Sequence, residues 1–154
     1  MADASVLVTD ITGFANPVTA RRLAAAGARV LGCDPSLTDD GAHDGIDVIG
    51  WTAPAQIVAR AAETFDGKLD AIVIGPAMPA PRTNVEELSK ELLGEYFQRI
   101  AIESLLFAGA AAKIMRRQKA GRIVFCTSSG PIGGIPGFSA YAAARSAGNG
   151  AGRT

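Results

Sequence analysis

Short apolar runs alternate along the chain with longer stretches in which apolar positions have helical spacing. Strand-length runs that alternate with helical segments are typical of βαβ units, in which the strands are parallel. We therefore predict a single α/β domain over residues 1–154, built as a three-layer, doubly wound parallel sheet. The apolar runs predict five strands, at Ser5–Thr9, Arg29–Cys33, Asp47–Ile49, Leu69–Ile74 and Arg122–Cys126.

The segments between these strands predict helices, because apolar residues recur in them at helical spacing. In the first segment, Asn16 suits a helix N-cap and Pro17 the first helical position. Gly27 then suits the stop. Helices are expected at 16–26, at 54–65, at 85–117 with a break near Gly94, and from Ser139 onward.

Three segments rich in glycine, proline or polar residues predict loops, at 35–46, 75–82 and 129–137. We expect at most one helical turn in the first of them. The last helix runs into Gly148–Thr154, where three glycines in five residues are unfavourable in a helix interior. We therefore expect this helix to end after about two turns, and the fold to be incomplete at its C terminus.

The composition fits a folded domain without a strongly charged surface. Hydrophobic residues make up 48% of the chain, and 15 basic residues balance 15 acidic ones. Because no basic patch stands out, nucleic acids and anionic membranes are not expected partners. No apolar run reaches the roughly 20 residues of a membrane-spanning helix, and the N terminus lacks the pattern of a secretion signal. We therefore expect a cytoplasmic protein.

The chain offers little for metal binding. Cys33 and Cys126 are its 2 cysteines, and His43 is its 1 histidine. Two cysteines in separate predicted strands suit neither a disulfide framework nor a metal site, so we expect them to be small buried hydrophobic residues. His43 lies in a polar loop, where a surface position is expected. We predict no metal.

Candidate chemistry lies just past the fifth predicted strand, at Ser128. Functional groups in parallel sheets sit at the carboxyl ends of strands. Tyr141 and Arg145 are four residues apart at a helix start, so their side chains project from one face. A tyrosine is a weak base near neutral pH because its usual pKa is about 10, and a nearby guanidinium favours the phenolate. With a serine hydroxyl to hold the substrate oxygen, the three groups can take a proton from an alcohol.

Taken singly, these residues also have purely structural explanations. Tyr141 and Arg145 suit an amphipathic helix with one aromatic anchor, and Ser128 suits a strand–loop junction. The combination is more specific: a strand, then the serine, the tyrosine thirteen residues later and the arginine four residues after it. This order resembles the active site of the short-chain dehydrogenase/reductase superfamily, a resemblance that implies a Rossmann-like fold.

Two features differ from ordinary members of that superfamily. Such members have lysine at the place of Arg145, where the lysine also holds the nicotinamide ribose. Their glycine-rich turn would place glycines at Asp10, Phe14 and Asn16, whereas the nearby glycine here is Gly13. Glycines are needed there so that a pyrophosphate can approach the backbone N–H groups. We expect the phenylalanine to fill that space, so no dinucleotide cofactor is expected in the usual pose.

Both differences resemble the halohydrin dehalogenases, which are cofactor-independent relatives of the reductases. That family has Thr-x4-Phe-x-Gly in the first turn, and this chain has Thr9 and Phe14, with Asn16 in place of the glycine. The resemblance covers essentially the whole chain. It implies small-molecule partners, namely a vicinal halohydrin or epoxide and a halide, and a homo-oligomer for the full-length protein.

The resemblance also implies a role for each residue. Ser128 would bind the substrate hydroxyl, Tyr141 would take its proton, and Arg145 would favour the phenolate. The alkoxide would displace the neighbouring halide to close an epoxide, and Phe14 would help to line the halide site. The reverse reaction would open epoxides with small anions. Further residues of the halide pocket would come from sequence beyond this chain.

Two alternatives remain open at this point. Asp34 ends the second predicted strand, where many relatives that use NAD keep an acid for the adenosine ribose, and this favours an NAD- or NADP-dependent oxidoreductase. An acid before Pro35 is equally a turn residue. The other alternative is an inactive, truncated fragment of the fold.

Overall fold

The structure, a computed structural model, describes residues 3–76 and 78–152. Within these residues, six strands form one sheet of order β3-β4-β2-β1-β5-β6, in which β3 pairs antiparallel and all other neighbours pair parallel. This confirms the predicted α/β architecture, with one strand more than expected. The strands are β1 Ser5–Thr9, β2 Arg29–Cys33, β3 Gly41–His43, β4 Ile46–Val48, β5 Ala71–Ile74 and β6 Arg122–Phe125.

The additional strand lies in residues 35–46, where we expected only a loop. Its signal was present in the sequence, because Asp44 and Gly45 form the two-residue turn between β3 and β4, with φ of 49° and 77°. Asp-Gly is a preferred pair in such hairpin turns, which need positive φ at both positions. The hairpin also moves the start of the next strand from the predicted Asp47 to Ile46.

Helices cover the sheet and connect its strands. None of those in the described ranges is both long enough and apolar enough to cross a membrane. They are α1 Asn16–Ala25, α2 Pro54–Thr64, α3 Lys90–Tyr96, α4 Glu103–Gln118, the one-turn α5 Gly130–Gly133, which lies in a predicted loop, and α6 Ser139–Ala151.

The long helical region that we predicted at 85–117 is divided at a different place. A 3₁₀ turn covers Val85–Glu87, and α3 then begins after Ser89, whose hydroxyl accepts a hydrogen bond from the Leu92 N–H. Gly94 lies inside α3 and does not break it. Between α3 and α4 the backbone forms a π-helix at Phe97–Ile102, a feature frequently found at functional sites.

Two apolar layers hold the helices on the sheet. On one side, Leu7 and Ile72 of the central strands pack with α2 and α4, and both residues are fully buried. On the other, Val6 and Val8 pack with Ala20 of α1. Each fully buried side chain of this kind contributes about 1.5–3 kcal/mol to folding. The central strands β1 and β5 are therefore firmly packed on both faces of the sheet.

Helix α6 is longer than predicted. We expected it to end after about two turns, but it continues through Gly148 and Gly150 to Ala151. Each glycine costs about 1 kcal/mol relative to alanine in a helix interior. The second half of α6 still lies beside the π-helix, because a Cβ at Gly148 would stand 3.5 Å from the Ile100 carbonyl oxygen, an ordinary van der Waals separation.

Candidate active site

A cavity of about 850 Å³ opens at the carboxyl ends of the strands. Its walls come from the turns after β1 and β2, the segments after β5 and β6, the α3–π-helix region and α6. The structure therefore brings together all the site residues that the sequence predicted. The lining includes Ser128, Tyr141, Arg145, Phe14 and Asp34.

Arg145 is held by three hydrogen bonds, one from each guanidinium nitrogen. Its Nε donates to the Tyr141 hydroxyl oxygen at 3.0 Å. Its Nη1 donates to the carbonyl of Cys126 at 3.2 Å, and its Nη2 to that of Pro76 at 2.7 Å. These two carbonyls follow β6 and β5, so the strand ends fix a buried cation against the phenol oxygen. The guanidinium is thus held in hydrogen-bonding contact with the phenol oxygen.

Ser128 and Tyr141 meet around Gly130, the first residue of α5. The Gly130 N–H donates to the Ser128 Oγ at 3.1 Å. A side chain at Gly130 would stand 3.3 Å from that oxygen and 3.6 Å from the Tyr141 Cε1. The serine oxygen acts as acceptor in this bond, so its own hydrogen can be donated to a substrate oxygen. The glycine leaves the space in which such a substrate would lie.

The turn after β1 satisfies several of its own N–H groups. The Gly13 N–H donates to the carbonyl of Asp10 at 3.1 Å, and the Asn16 N–H to that of Gly13 at 3.2 Å. The Thr12 N–H donates to the Asp34 carboxylate at 3.1 Å. In dinucleotide-binding turns such groups receive the pyrophosphate. Here these three are already occupied by the protein.

Phe14 does not fill the turn as we expected. It has a φ of 54°, and its side chain is 87% exposed at the mouth of the cavity. Asn16 occupies the interior instead. Its buried amide donates to the carbonyls of Thr9, Asp10 and Gly75, so it joins the turn to β5 and does not cap α1 as predicted.

Asp34 lies at the end of β2 with both carboxylate oxygens occupied. Oδ2 accepts hydrogen bonds from the N–H and hydroxyl of Thr12, and Oδ1 accepts the same pair from Ser36. Burial raises the pKa of Asp34, but these hydrogen bonds outweigh it and hold the pKa of this carboxyl below its usual value. The residue thus joins the turn after β1 to the turn after β2.

Replacing Asp34 with asparagine is expected to lower the free energy of unfolding at neutral pH by about 1–3 kcal/mol, since an amide cannot accept all four bonds. A carboxyl with a depressed folded pKa stabilises the protein above its unfolded pKa of about 3.9, and this stability is lost as the pH falls through the folded pKa. Urea unfolding at several pH values measures the difference. It should be full above about pH 5 and shrink below about pH 4; a constant difference would contradict this role.

An ionic cluster that the sequence patterns did not predict also lines the cavity. Arg99 of the π-helix pairs with Asp10 at 2.6 Å and also with Glu103. Its guanidinium lies 5.2 Å from the ring centroid of Trp51. Asp10 directly follows β1, and this position at the carboxyl edge was the one available signal. Its partner is 89 residues away in sequence, and apolar spacing says nothing about such a pair.

Of the two cysteines, Cys33 is buried as predicted, whereas Cys126 is only half-buried. Cys33 is fully buried, and burial followed by the nearby Asp10 and Asp34 carboxylates raises the pKa of its thiol. Burial also raises the pKa of the half-buried Cys126. In the part of the chain that the structure describes, no group of three or more potential ligand side chains could hold a metal ion.

A family model for short chain dehydrogenases matches residues 5–154. The match covers both the turn after β1 and the Ser128–Tyr141–Arg145 region. Among the curated proteins, a search found no match.

Solved structures extend this comparison to the fold. One described as a dehalogenation enzyme is 31% identical, with a TM-score of 0.86 over 97% of this chain. A halohydrin dehalogenase bound to ethyl (2S)-oxiran-2-ylacetate is 23% identical, with a TM-score of 0.84 over 94% of this chain. Levodione reductase is 24% identical, with a TM-score of 0.84 over 97% of this chain. The chain spans 64%, 60% and 64% of these three chains respectively.

Proposed function

The chain belongs to the short-chain dehydrogenase family, and we propose that its serine, tyrosine and arginine convert vicinal halohydrins into epoxides without a nucleotide cofactor. The observation that carries this proposal is the fixed position of Arg145. Its guanidinium reaches the Tyr141 oxygen while two strand-end carbonyls hold it. All three guanidinium nitrogens donate hydrogen bonds within the protein. We therefore infer that the cation acts on the Tyr141 oxygen.

In the proposed reaction, Ser128 donates a hydrogen bond to the substrate oxygen. The O–H bond of the substrate breaks, and its proton passes to the Tyr141 phenolate, which Arg145 stabilises. The oxygen electron pair then forms a bond to the neighbouring carbon, and the carbon–halogen bond breaks with its electron pair leaving on the halide. The exposed ring of Phe14 offers an apolar wall for the leaving halide. The reverse sequence opens an epoxide with a small anion.

The occupied turn after β1 supports the absence of a nucleotide from this reaction. Three N–H groups of that turn and the Asp34 carboxylate already have partners inside the protein. A pyrophosphate or an adenosine ribose would have to displace them, at about 1–3 kcal/mol for each buried group left unpaired. The 31% identical structure described as a dehalogenation enzyme supports the same function.

A nicotinamide-dependent oxidoreductase is the second candidate. It is favoured by the family itself and by the position of Asp34 at the end of β2, where an acid can receive ribose hydroxyls. The fold of levodione reductase is also similar. Against it stands the same carboxylate, whose oxygens each accept two hydrogen bonds from the protein.

Two assays on one nucleotide-free preparation separate these candidates. The first follows halide release from a vicinal chlorohydrin and a vicinal bromohydrin. The second titrates NAD, NADH, NADP and NADPH by calorimetry. We expect halide release without nucleotide and no saturable nucleotide binding. Tight nucleotide binding without halide release would assign the chain to the oxidoreductases instead.

A further inference from the structure

Tyr96 ends α3 beside the candidate active site, and its residue surface is only 2% exposed. It forms a buried apolar cluster with Ile100 of the π-helix and with Ala140 and Ala144 of α6. Tyr141 packs against this cluster. Tyr96 therefore occupies the junction between the π-helix region and the helix that carries the proposed base.

The ring of Tyr96 contacts the ring of Tyr141 edge to face. Their centroids are 6.4 Å apart and their planes are inclined at 80°. Phe138 makes a similar contact with Tyr141, at 6.1 Å and 81°. Phe138 directly precedes α6 and belongs to the same local segment as Tyr141, whereas Tyr96 comes from a different element. The Tyr96 contact thus fixes the catalytic ring relative to the rest of the fold.

The hydroxyl of Tyr96 acts on the opposite wall of the cavity. It donates to the carbonyl of Pro79 at 3.1 Å, and Met78 and Pro79 line the cavity. Burial, together with the nearby Glu95 and Tyr141, raises the pKa of Tyr96. The hydroxyl therefore keeps its proton at neutral pH and can donate this hydrogen bond.

We propose that Tyr96 is a positioning residue with two separable parts: its ring orients Tyr141 towards Arg145, and its hydroxyl fixes the Met78–Pro79 wall of the substrate cavity. The kinetic part of this inference rests on the proposed function. The structural part does not, because it concerns the orientation of one side chain in the free protein. Tyr96 thus makes both a ring contact with Tyr141 and a hydrogen bond to the Pro79 carbonyl.

Two substitutions separate the parts. Tyr96→Phe keeps the ring and removes the donor, so KM should rise about 3- to 10-fold while kcat stays within about twofold, as expected for the loss of one hydrogen bond. Tyr96→Leu removes the ring as well, so kcat should fall by at least about tenfold, since misplacing a reacting group is costly. Leu88→Ala is the matched control, because it removes a side chain from the same cluster but neither contact.

If Tyr96 had only a structural role, neither kcat nor KM would change as described. All three variants would then lose stability in urea while their folded fractions kept the kcat and KM of the wild type. That result would overturn the proposal. A rise in KM confined to Tyr96→Phe, with a fall in kcat confined to Tyr96→Leu, would support it.

A second readout is independent of activity, because the chain contains only 2 tyrosines. With ring-¹³C tyrosine, the signal of either Tyr96 variant belongs to Tyr141 alone. The nuclear Overhauser contact between the Tyr141 ring and the Arg145 side chain should persist in Tyr96→Phe and Leu88→Ala and weaken in folded Tyr96→Leu. Persistence in Tyr96→Leu would overturn the proposal. If the wild type keeps this contact but releases no halide, the proposed function fails while the positioning role stands.

Discussion

Replacing Tyr141 with phenylalanine is expected to slow halide release about 100- to 10,000-fold, the range that a positioned acid–base group contributes. The substitution removes the oxygen that would accept the substrate proton and that accepts the hydrogen bond from the Arg145 Nε. The ring contacts with Tyr96 and Phe138 remain, so the fold should be preserved. Steady-state rates with a vicinal chlorohydrin, compared with thermal unfolding of the same preparations, measure the effect.

The variant has an informative second outcome. If Tyr141→Phe releases halide at the wild-type rate while unfolding at the same temperature, the proton acceptor lies elsewhere in the cavity. Asp10 and Glu95 are the carboxylates of its lining besides Asp34. Such a result would remove Tyr141 from the reaction.

Replacing Arg145 with lysine is expected to reduce both activity and stability, although the charge is kept. An ammonium is a compact group and cannot reproduce the planar guanidinium fork that spans Tyr141, Cys126 and Pro76. At least one buried carbonyl loses its donor, which costs about 1–3 kcal/mol. Loss of the contact to the phenol oxygen should lower kcat by about 100-fold, comparable with the loss of other fixed charge-stabilising donors.

The same chemical change at an exposed position provides the control. Arg122 begins β6 and is exposed, so Arg122→Lys should change the free energy of unfolding by less than about 0.5 kcal/mol. Urea unfolding and halide release are measured on both variants. If Arg145→Lys and Arg122→Lys had the same effect on unfolding and on halide release, Arg145 would contribute only its positive charge.

Local sequence patterns predicted most of the sheet and the core of the site. Strand β1 was predicted from the continuous apolar run Val6–Val8, and the structure buries all five residues of the strand. Tyr141 and Arg145 are one helical turn apart, and this spacing fixes their relation without any knowledge of the fold. The hairpin at Asp44–Gly45 was equally local and predictable from the turn chemistry.

Other features depend on contacts between distant segments and could not be predicted in this way. Asn16 suits an N-cap by residue type, but the carbonyl of Gly75 draws its amide into the sheet end. Arg99 of the π-helix pairs with Asp10 although the two residues are 89 positions apart in sequence. Helix α6 continues past its first two turns, where Gly148 lies beside Ile100 of the π-helix. Each of these is set by tertiary packing, which overrides local preference.

In the proposed reaction the site closes an epoxide without hydride transfer, and the balance of products tests this most directly. Nucleotide-free wild-type protein and Tyr141→Phe are each incubated with a vicinal chlorohydrin, and chloride, epoxide and ketone are quantified. We expect chloride and epoxide in equal amounts from the wild type, with neither above background from the variant. Formation of a ketone that requires added NAD or NADP, without chloride release, would contradict cofactor-independent epoxide closure.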